Sequence, residues 1–458
     1  MVDFLKQVSE VVPSKRQLQW FDTGFYAFIH FGMNTFTDRE WGDGTEDESL
    51  FAPKALDCEQ WAKTVKEAGM KGMILTAKHH DGFCLWPSKY TEHCVKNAPC
   101  KRDVVKEAAD ACRKYGLRFG VYLSPWDRNN ASYGSPAYND YYCHQLEELL
   151  TGYGELFCVW FDGACGEGPN GKKQEYDFDR YIALIRKYQP NAVIFFEQGP
   201  DIRWCGNEAG KVRVSEWAVI PSEIGKRAKV QTGPGPLSTE GTLAHIHNTD
   251  RNLGMLASIL YSKGLTFLPA EVDTSIRPGW FWHEKEEPKS VETLFRIYVG
   301  SVGGNTCLNL NIPPNRDGLL DERDIQRLRE LRDTLDHEFG SPLLAVIEKR
   351  PDAYPSQPEY VVKLTKSVSE VKYVELREEI EKGQRVEAFK IEAMTPQGSR
   401  FPLYQGTTIG NRKICMLTDP FAEQNRLEEK KPASPATSLL VRVTAARGEV
   451  SLKEIVVY

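Results

Sequence analysis

Residues 155–163 read ELFCVWFDG, an apolar run that ends on an aspartate and a glycine. Leu156 to Phe161 shows no apolar–polar alternation, so an extended chain here needs cover on both faces, as in a parallel sheet. Asp162 then stands at the carboxyl end of the strand. The same shape recurs on either side: GFYAFIHFG (24–32), KGMILTAKHH (71–80), LRFGVYLS (117–124) and NAVIFFEQ (191–198), then GLTFLPAEVD (264–273) and NTCLNLNIP (305–313). Each run is rich in β-branched and aromatic residues, and nearly every one finishes in a polar group: His30, His79 and His80, Ser124, Asp162, Glu197, Glu271 and Asn309.

Between these runs lie segments with helical periodicity. Cys58 to Gly69 puts Trp61, Val65 and Ala68 on one face, and Lys101 to Tyr115 stops at Gly116, a left-handed cap. Asp140 to Gly152, Asp177 to Gln189 and Asp321 to Glu338 read likewise. Repeated βα units fit a (β/α)₈ barrel or a doubly wound sheet. The barrel is favoured because it brings every strand's carboxyl end to one face, where those polar groups share a site. No glycine-rich phosphate loop follows the first strand, as a nucleotide-binding sheet requires. From about residue 345, short strand-like runs such as YVVKLTK, VKYVELRE and SLLVRVTA alternate with turn clusters. The expected fold class is α/β, a (β/α)₈-like (TIM) barrel over 1–343 followed by a smaller C-terminal antiparallel β-sandwich over 344–458.

The 458 residues are 41% hydrophobic and 27% charged, enough apolar content for a large core and against wholesale disorder. With 58 basic and 64 acidic residues the net charge is −6, which gives no general attraction to nucleic acid or an anionic membrane surface. No apolar run approaches the roughly 20 residues that span a bilayer. The eleven cysteines are scattered without CxxC or finger spacing, so neither a zinc module nor a redox dithiol is indicated. The N-terminus lacks a charged segment followed by an apolar one, so the expected location is the cytoplasm if residue 1 is the native start, and secreted or periplasmic if the sequence has been trimmed.

Four stretches carry chemistry. In WFDGA, Asp162 either caps the turn before Gly163 or serves a ligand between aromatics. In AKHHDGFCLW (77–86), His79, His80 and Asp81 invite a metal reading. Adjacent residues on an extended segment point to opposite sides, so joint chelation by both imidazoles is not expected and hydrogen bonding to a polar substrate is favoured. In AFIHFGMNTFTDREWGDG (27–44), His30 ends the strand and Glu40 and Trp41 follow in a glycine-rich loop. EQGPDIRWCGNEAG (197–210), read as a loop after the fifth strand, offers Glu197, Asp201 and Glu208 around Trp204. Carboxylates, histidines and tryptophans at strand ends suit sugars: indoles stack on rings, imidazoles and carboxylates bind hydroxyls, and two acids break a glycosidic bond. The residues by themselves indicate a barrel glycosidase.

The ordered blocks IHFGMNTFTDREWGDG, KHHDGFCLWPSKYT, GVYLSPWDRN, VWFDGA, DIRWCGNEAG, EVDTSIRPGWF and LNLNIPPNRDG resemble the α-L-fucosidases of glycoside hydrolase family 29, over about Trp20 to Asn315. SPWDRN, DIRWCGNEAG and SIRPGWF are similar to the subgroup acting on α-1,3/1,4-linked fucose in Lewis-type structures. The resemblance implies Asp162 as nucleophile of a retaining mechanism and Glu208 as general acid/base, with Glu197, Asp201 and Glu216 as neighbouring alternatives. It implies His30, Glu40, Trp41, His79, His80 and Trp160 as walls of the fucose pocket, together with Tyr122 and Trp280. Trp126, Arg203 and Trp204 would shape adjoining subsites, and Trp280 with Phe31 would form an apolar patch for the fucose methyl group. The implied partner is a fucosylated oligosaccharide, with no metal and no other cofactor. Two other readings stand beside it: a fucose-binding lectin without catalysis, and a metal-dependent hydrolase built on His79, His80 and Asp81.

Overall fold

The computed structural model describes residues 2–197, 199–224, 249–417 and 436–458. Its first strands are β1 (Phe25–Ile29), β2 (Gly72–Lys78), β3 (Arg118–Leu123), β4 (Cys158–Trp160), β5 (Val193–Phe196) and β6 (Ile202–Trp204). Then come β7 (Val219–Pro221), β8 (Leu265–Phe267), β9 (Ala270–Ser275) and β10 (Cys307–Asn311). Eight of these close a parallel barrel in the order β1-β10-β9-β6-β5-β4-β3-β2, while β7 and β8 pair with each other outside it.

Two features depart from the sequence expectation. The run 264–273 is two strands, because Leu268 and Pro269 break it between β8 and β9. Segment 197–210 is not one loop: its Ile202–Trp204 is the eighth barrel strand, three residues long and therefore too short to show a period. Helices Cys58–Glu67, Val104–Tyr115, Phe178–Tyr188 and Glu322–Phe339 each start on an aspartate whose side chain accepts a backbone N–H (Asp57, Asp103, Asp177, Asp321). Gly116 closes the second of them at φ +63°.

Strand parity positions the site. Tyr26, Phe28, Ile74, Tyr122, Cys158, Trp160, Val193, Phe195, Ile202 and Cys307 form one cluster that fills the barrel. Their neighbours Ala27, Ile29, Leu75, Val121, Val159 and Ile194 pack outward against the helices. Continued one step past each strand, the inward parity reaches His30, Ser124, Asp162 and Glu197. On β2 the register shifts between Thr76 and Lys78. That irregularity sends Lys78 outward, where it is buried against Asp127 (3.0 Å) and Gln145 (2.9 Å).

Inside the barrel Glu271 accepts from the Tyr26 hydroxyl, Trp160 Nε1 (2.8 Å) and Asn309 Nδ2 (3.2 Å). The sequence places it at a strand's carboxyl end, but β9 starts at Ala270, so Glu271 lies at the beginning of the strand, level with Cys307 and below Asp273 and Ser275. Burial pushes its carboxyl up to about 7 against those three hydrogen bonds. The folded chain therefore holds a proton that the unfolded chain releases near pH 4.3, and stability from this group is full below that pH and lost as pH rises towards about 7. Equilibrium melts from pH 4.5 to 7.5 should show this decline in the wild type and its reduction in Glu271→Gln, a difference on the order of 3 kcal/mol at neutral pH.

The C-terminal strands are β11 (Ala345–Lys349), β12 (Glu359–Leu364), β13 (Tyr373–Glu378), β14 (Val386–Met394), β15 (Arg400–Gly406), β16 (Lys413–Met416), β17 (Ser438–Ala446) and β18 (Leu452–Val457). They form a five-stranded sheet, β11-β12-β17-β14-β15, and a three-stranded sheet, β16-β13-β18, both antiparallel and sharing one apolar core. No described helix is long and apolar enough to cross a membrane. All eleven cysteines are free thiols.

Candidate active site

Asp162 lies two residues past β4 at the carboxyl mouth of the barrel, where one oxygen caps the turn and the other turns to the neighbouring rings. Its Oδ1 accepts from Ala164 N (2.7 Å), capping the turn, while its Oδ2 accepts from the Tyr122 hydroxyl (2.9 Å) and lies 3.8 Å from His80 Nε2. Burial raises its carboxyl above the ordinary aspartate range despite the bonds from Ala164 and Tyr122. Tyr122 in turn stacks on Trp160, and Trp160 lies flat on Phe195 with centroids 4.1 Å apart. The support beneath Asp162 is thus a pile of rings with few rotamers to choose from.

The three histidines are buried and their pKa values are driven down, to about 3 for His30 and His80, chiefly by burial. They are neutral at working pH, so each has one donor and one acceptor nitrogen, and the neighbours fix which. Asn311 gives its Nδ2 to Ser275 Oγ (2.9 Å) and Trp280 O (2.7 Å), so its Oδ1 accepts from His30 Nδ1 (2.8 Å). Ser124 donates to Trp126 O (2.7 Å) and accepts from His80 Nδ1 (2.7 Å). Asn34 Nδ2, which also donates to Glu40 O, meets His79 Nδ1 at 3.2 Å as donor. His30 and His80 therefore keep a bare Nε2, and His79 keeps its Nε2–H: two acceptors and one donor for hydroxyl groups.

Joint ligation by His79 and His80 was not expected from an extended chain, but the strand ends at Lys78. Past it the two rings turn to the same side, with centroids 4.1 Å apart. Ligand atoms of His79, His80 and Asp162 all fall within 4.8 Å of one another, a wider span than the roughly 3.3 Å edges of a tetrahedral zinc site with 2.0–2.1 Å bonds. Asp81 is not in this group. Its Oδ1 accepts from Phe83 N (2.8 Å), and burial pushes its carboxyl up to about 6.

Glu208 stands four residues past β6, exposed at the rim. Its Oε2 accepts from Trp280 Nε1 at 3.3 Å, and its backbone carbonyl accepts from Thr274 Oγ1 at 2.8 Å. Surrounding atoms partly desolvate the carboxyl and raise its pKa, as do the charges of Asp162 and Glu40, while the Trp280 bond opposes them. Glu40 holds Trp280 in place: it accepts from the backbone N–H of Trp280 (2.8 Å) and Phe281 (3.2 Å), and its Oε1 lies 2.7 Å from His283 Nε2. Trp280 sits 5.1 Å from the His30 ring. Beyond Asp162, Trp41 is 47% exposed and meets Trp126 edge-on at 5.5 Å, with the Arg128 guanidinium 5.3 Å over the Trp126 ring.

Four sequence expectations move. Arg203 is 0% exposed and does not reach a subsite: it has the outward parity of β6, donates to Leu268 O (3.1 Å) and pairs with Glu216. Glu216 is caged by Arg203 and Arg213. Burial pushes its carboxyl upward, but the two guanidinium groups outweigh this and hold it below the ordinary range. Asp201 precedes β6, at the opposite end of the barrel, where it pairs with Arg16 and Arg186. Phe31 packs outward against Phe51 and Trp61 and contributes nothing to a patch beside Trp280. Trp204 stays at the mouth with its Nε1 on Asp273 Oδ1 (2.8 Å), and Glu197 lies half-buried just past β5. Since Glu216→Gln leaves Arg203 buried beside a neutral group, it should cost about 3 kcal/mol or more, read as a lowered melting temperature.

Asn34, Ser124, Asn311 and His283 orient the site without having been assigned roles from sequence. The asparagines of LNLNIP carried a signal: polar residues at period two within an apolar strand face a barrel interior.

A family model described as "Alpha-L-fucosidase" matches residues 12–216. The chain is 40% identical to Alpha-L-fucosidase 1 of Arabidopsis thaliana over 434 residues, 88% of this chain and 81% of that one. Among solved structures, a Bacteroides ovatus protein provisionally described as an α-L-fucosidase superposes with TM-score 0.88 at 44% identity, covering 100% of this chain and 75% of that one. A Ruminococcus gnavus fucosidase of glycoside hydrolase family 29, solved in complex with fucose, superposes with TM-score 0.80 at 30% identity, covering 98% and 95%.

Proposed function

The chain belongs to the α-L-fucosidase family, glycoside hydrolase family 29, and on that premise we propose that it is a retaining exo-enzyme releasing α-1,3/1,4-linked L-fucose from Lewis-type glycans. In the first step the Asp162 carboxylate attacks C1 of fucose, the glycosidic C1–O bond breaks, and the Glu208 proton passes to the departing oxygen. In the second, the Glu208 carboxylate takes a proton from water, the water oxygen attacks C1, and the bond to Asp162 breaks, leaving fucose with its anomeric configuration retained. The observation that carries this is the pair itself. Asp162 sits on a rigid aromatic pile, and Glu208 stands at the rim on the Trp280 indole, near enough for the charge of Asp162 to help raise its pKa.

The histidine pattern of two acceptors and one donor suits a ring of hydroxyls, with the Trp280 indole, 5.1 Å from the His30 ring, as the apolar surface for the C5 methyl group. Trp41, Trp126 and Arg128 line the far side of Asp162, where the remainder of a branched glycan would lie. Every step is met by side chains, so no metal is required. The test is fucose release from a Lewis trisaccharide beside an α-1,2-fucosylated glycan, with and without EDTA. Release from the Lewis substrate alone, unchanged by the chelator, is the expected result. Release from both glycans would indicate a broader-specificity fucosidase, and loss with EDTA would favour a metal-dependent hydrolase. Fucose binding without release would favour a lectin.

A further inference from the structure

We propose that the C-terminal β-sandwich is part of the catalytic apparatus: Gln384, Thr407 and Arg447 position the segment that carries Glu208, and so set the alignment of the general acid. This rests on the assignment of Glu208 above.

Three separate sandwich loops converge on residues 214–218. Gln384, fully buried before β14, clamps the backbone on both sides of Trp217: its Nε2 donates to Glu216 O (2.9 Å) and its Oε1 accepts from Ala218 N (2.7 Å). Arg447, which follows β17, lies flat on Trp217 with its guanidinium carbon 3.4 Å from the ring centroid, and donates to Gly254 O (2.7 Å). Thr407, which follows β15, donates its hydroxyl to Val214 O (2.9 Å).

The hold passes from there to the rim. The carboxylate of Glu216 binds Arg213 (3.1 Å), and Arg213 Nη1 donates to Cys205 O (3.2 Å), three residues before Glu208. Asn207 closes the intervening turn, accepting from Ala209 N (3.1 Å) and donating to Lys211 O (2.9 Å). Asp162 stands two residues past β4 and receives none of these ties. Loosening the sandwich contacts therefore displaces the acid and leaves the nucleophile where it is. A general acid works only within hydrogen-bond reach of the leaving oxygen, so a small displacement is expensive in rate.

The selectivity of that loss supplies the test. A good leaving group departs without a proton, and a poor one does not. The full chain carrying Gln384→Ala or Thr407→Val is compared with Glu208→Ala on aryl α-L-fucosides from dinitrophenyl to phenyl, with melting temperatures recorded alongside. For Gln384→Ala, kcat/KM should fall about tenfold or more on the phenyl fucoside and less than about twofold on the dinitrophenyl fucoside. Thr407→Val, partly exposed and nearly isosteric, should show the same trend at about threefold. A loss equal across the series in both variants, or no loss in either, overturns the proposal. If Glu208→Ala is itself indifferent to the leaving group, the acid/base assignment has failed and takes this proposal with it. If Glu208→Ala is sensitive and the sandwich variants are not, the positioning role alone is wrong.

Discussion

Asp162→Ala lowers kcat/KM by at least about 10⁴-fold on every fucoside, good and poor leaving groups alike, because no other group attacks C1. Its fold and its binding of free L-fucose survive. The carboxylate is an expense to the folded chain, since burial raises its pKa in spite of Ala164 and Tyr122. Removing it should therefore leave the melting temperature unchanged or raise it, the usual relation between a strained active site and stability. Initial rates on an aryl fucoside and a Lewis glycan, calorimetric titration with fucose and a thermal melt check this together. A variant that retains more than about a hundredth of the wild-type rate would remove Asp162 from the nucleophile's role.

Glu208→Ala behaves differently. On a Lewis glycan, whose leaving sugar needs a proton, kcat/KM falls about 10²- to 10⁴-fold. On a dinitrophenyl fucoside the first step needs no acid, so the intermediate forms and hydrolyses slowly for want of a base. Added azide, which needs no base, should restore turnover and yield a fucosyl azide. The pH profile checks the same assignment. Glu208 must be protonated to act, and its raised pKa places the alkaline limb of kcat/KM above the ordinary glutamate range. Asp162 must be ionised, and its raised pKa places the acid limb above the ordinary aspartate range. In Glu208→Ala the alkaline limb disappears and the acid limb stays. Azide rescue in Glu216→Gln instead would transfer the role to Glu216, against its cage of two arginines.

The barrel was legible because its strands announce themselves: apolar runs without alternation, each closing on a polar residue, at βα spacing. Asp162 and the histidines were legible for the same reason, as chemistry placed at strand ends, whereas Trp280 came only with the family resemblance. What escaped was short or depended on parity. Ile202–Trp204 has three residues and no period of its own, so Arg203 looked like part of a rim loop although its strand turns it outward. His79 and His80 looked like opposed neighbours because nothing in the sequence marks the end of β2 at Lys78 or the shift before it. The supporting asparagines and Glu271 are set by contacts between strands far apart in the chain, such as Asn309 with Glu271 and Asn311 with His30. Local pattern cannot supply such pairings. The dependence of the 205–218 segment on the sandwich is likewise a contact between distant parts of the sequence.

The most direct measurement of the central claim, a covalent intermediate on Asp162, is mass spectrometry of the enzyme treated with a 2-deoxy-2-fluoro-fucosyl fluoride. The fluorine at C2 slows both steps and the fluoride leaves without acid help, so the intermediate accumulates. A single added fluorofucosyl group on the peptide containing Asp162, lost again on incubation with an acceptor, is the predicted result. Label on another residue, or no label while the natural substrate yields fucose of inverted configuration, would contradict it.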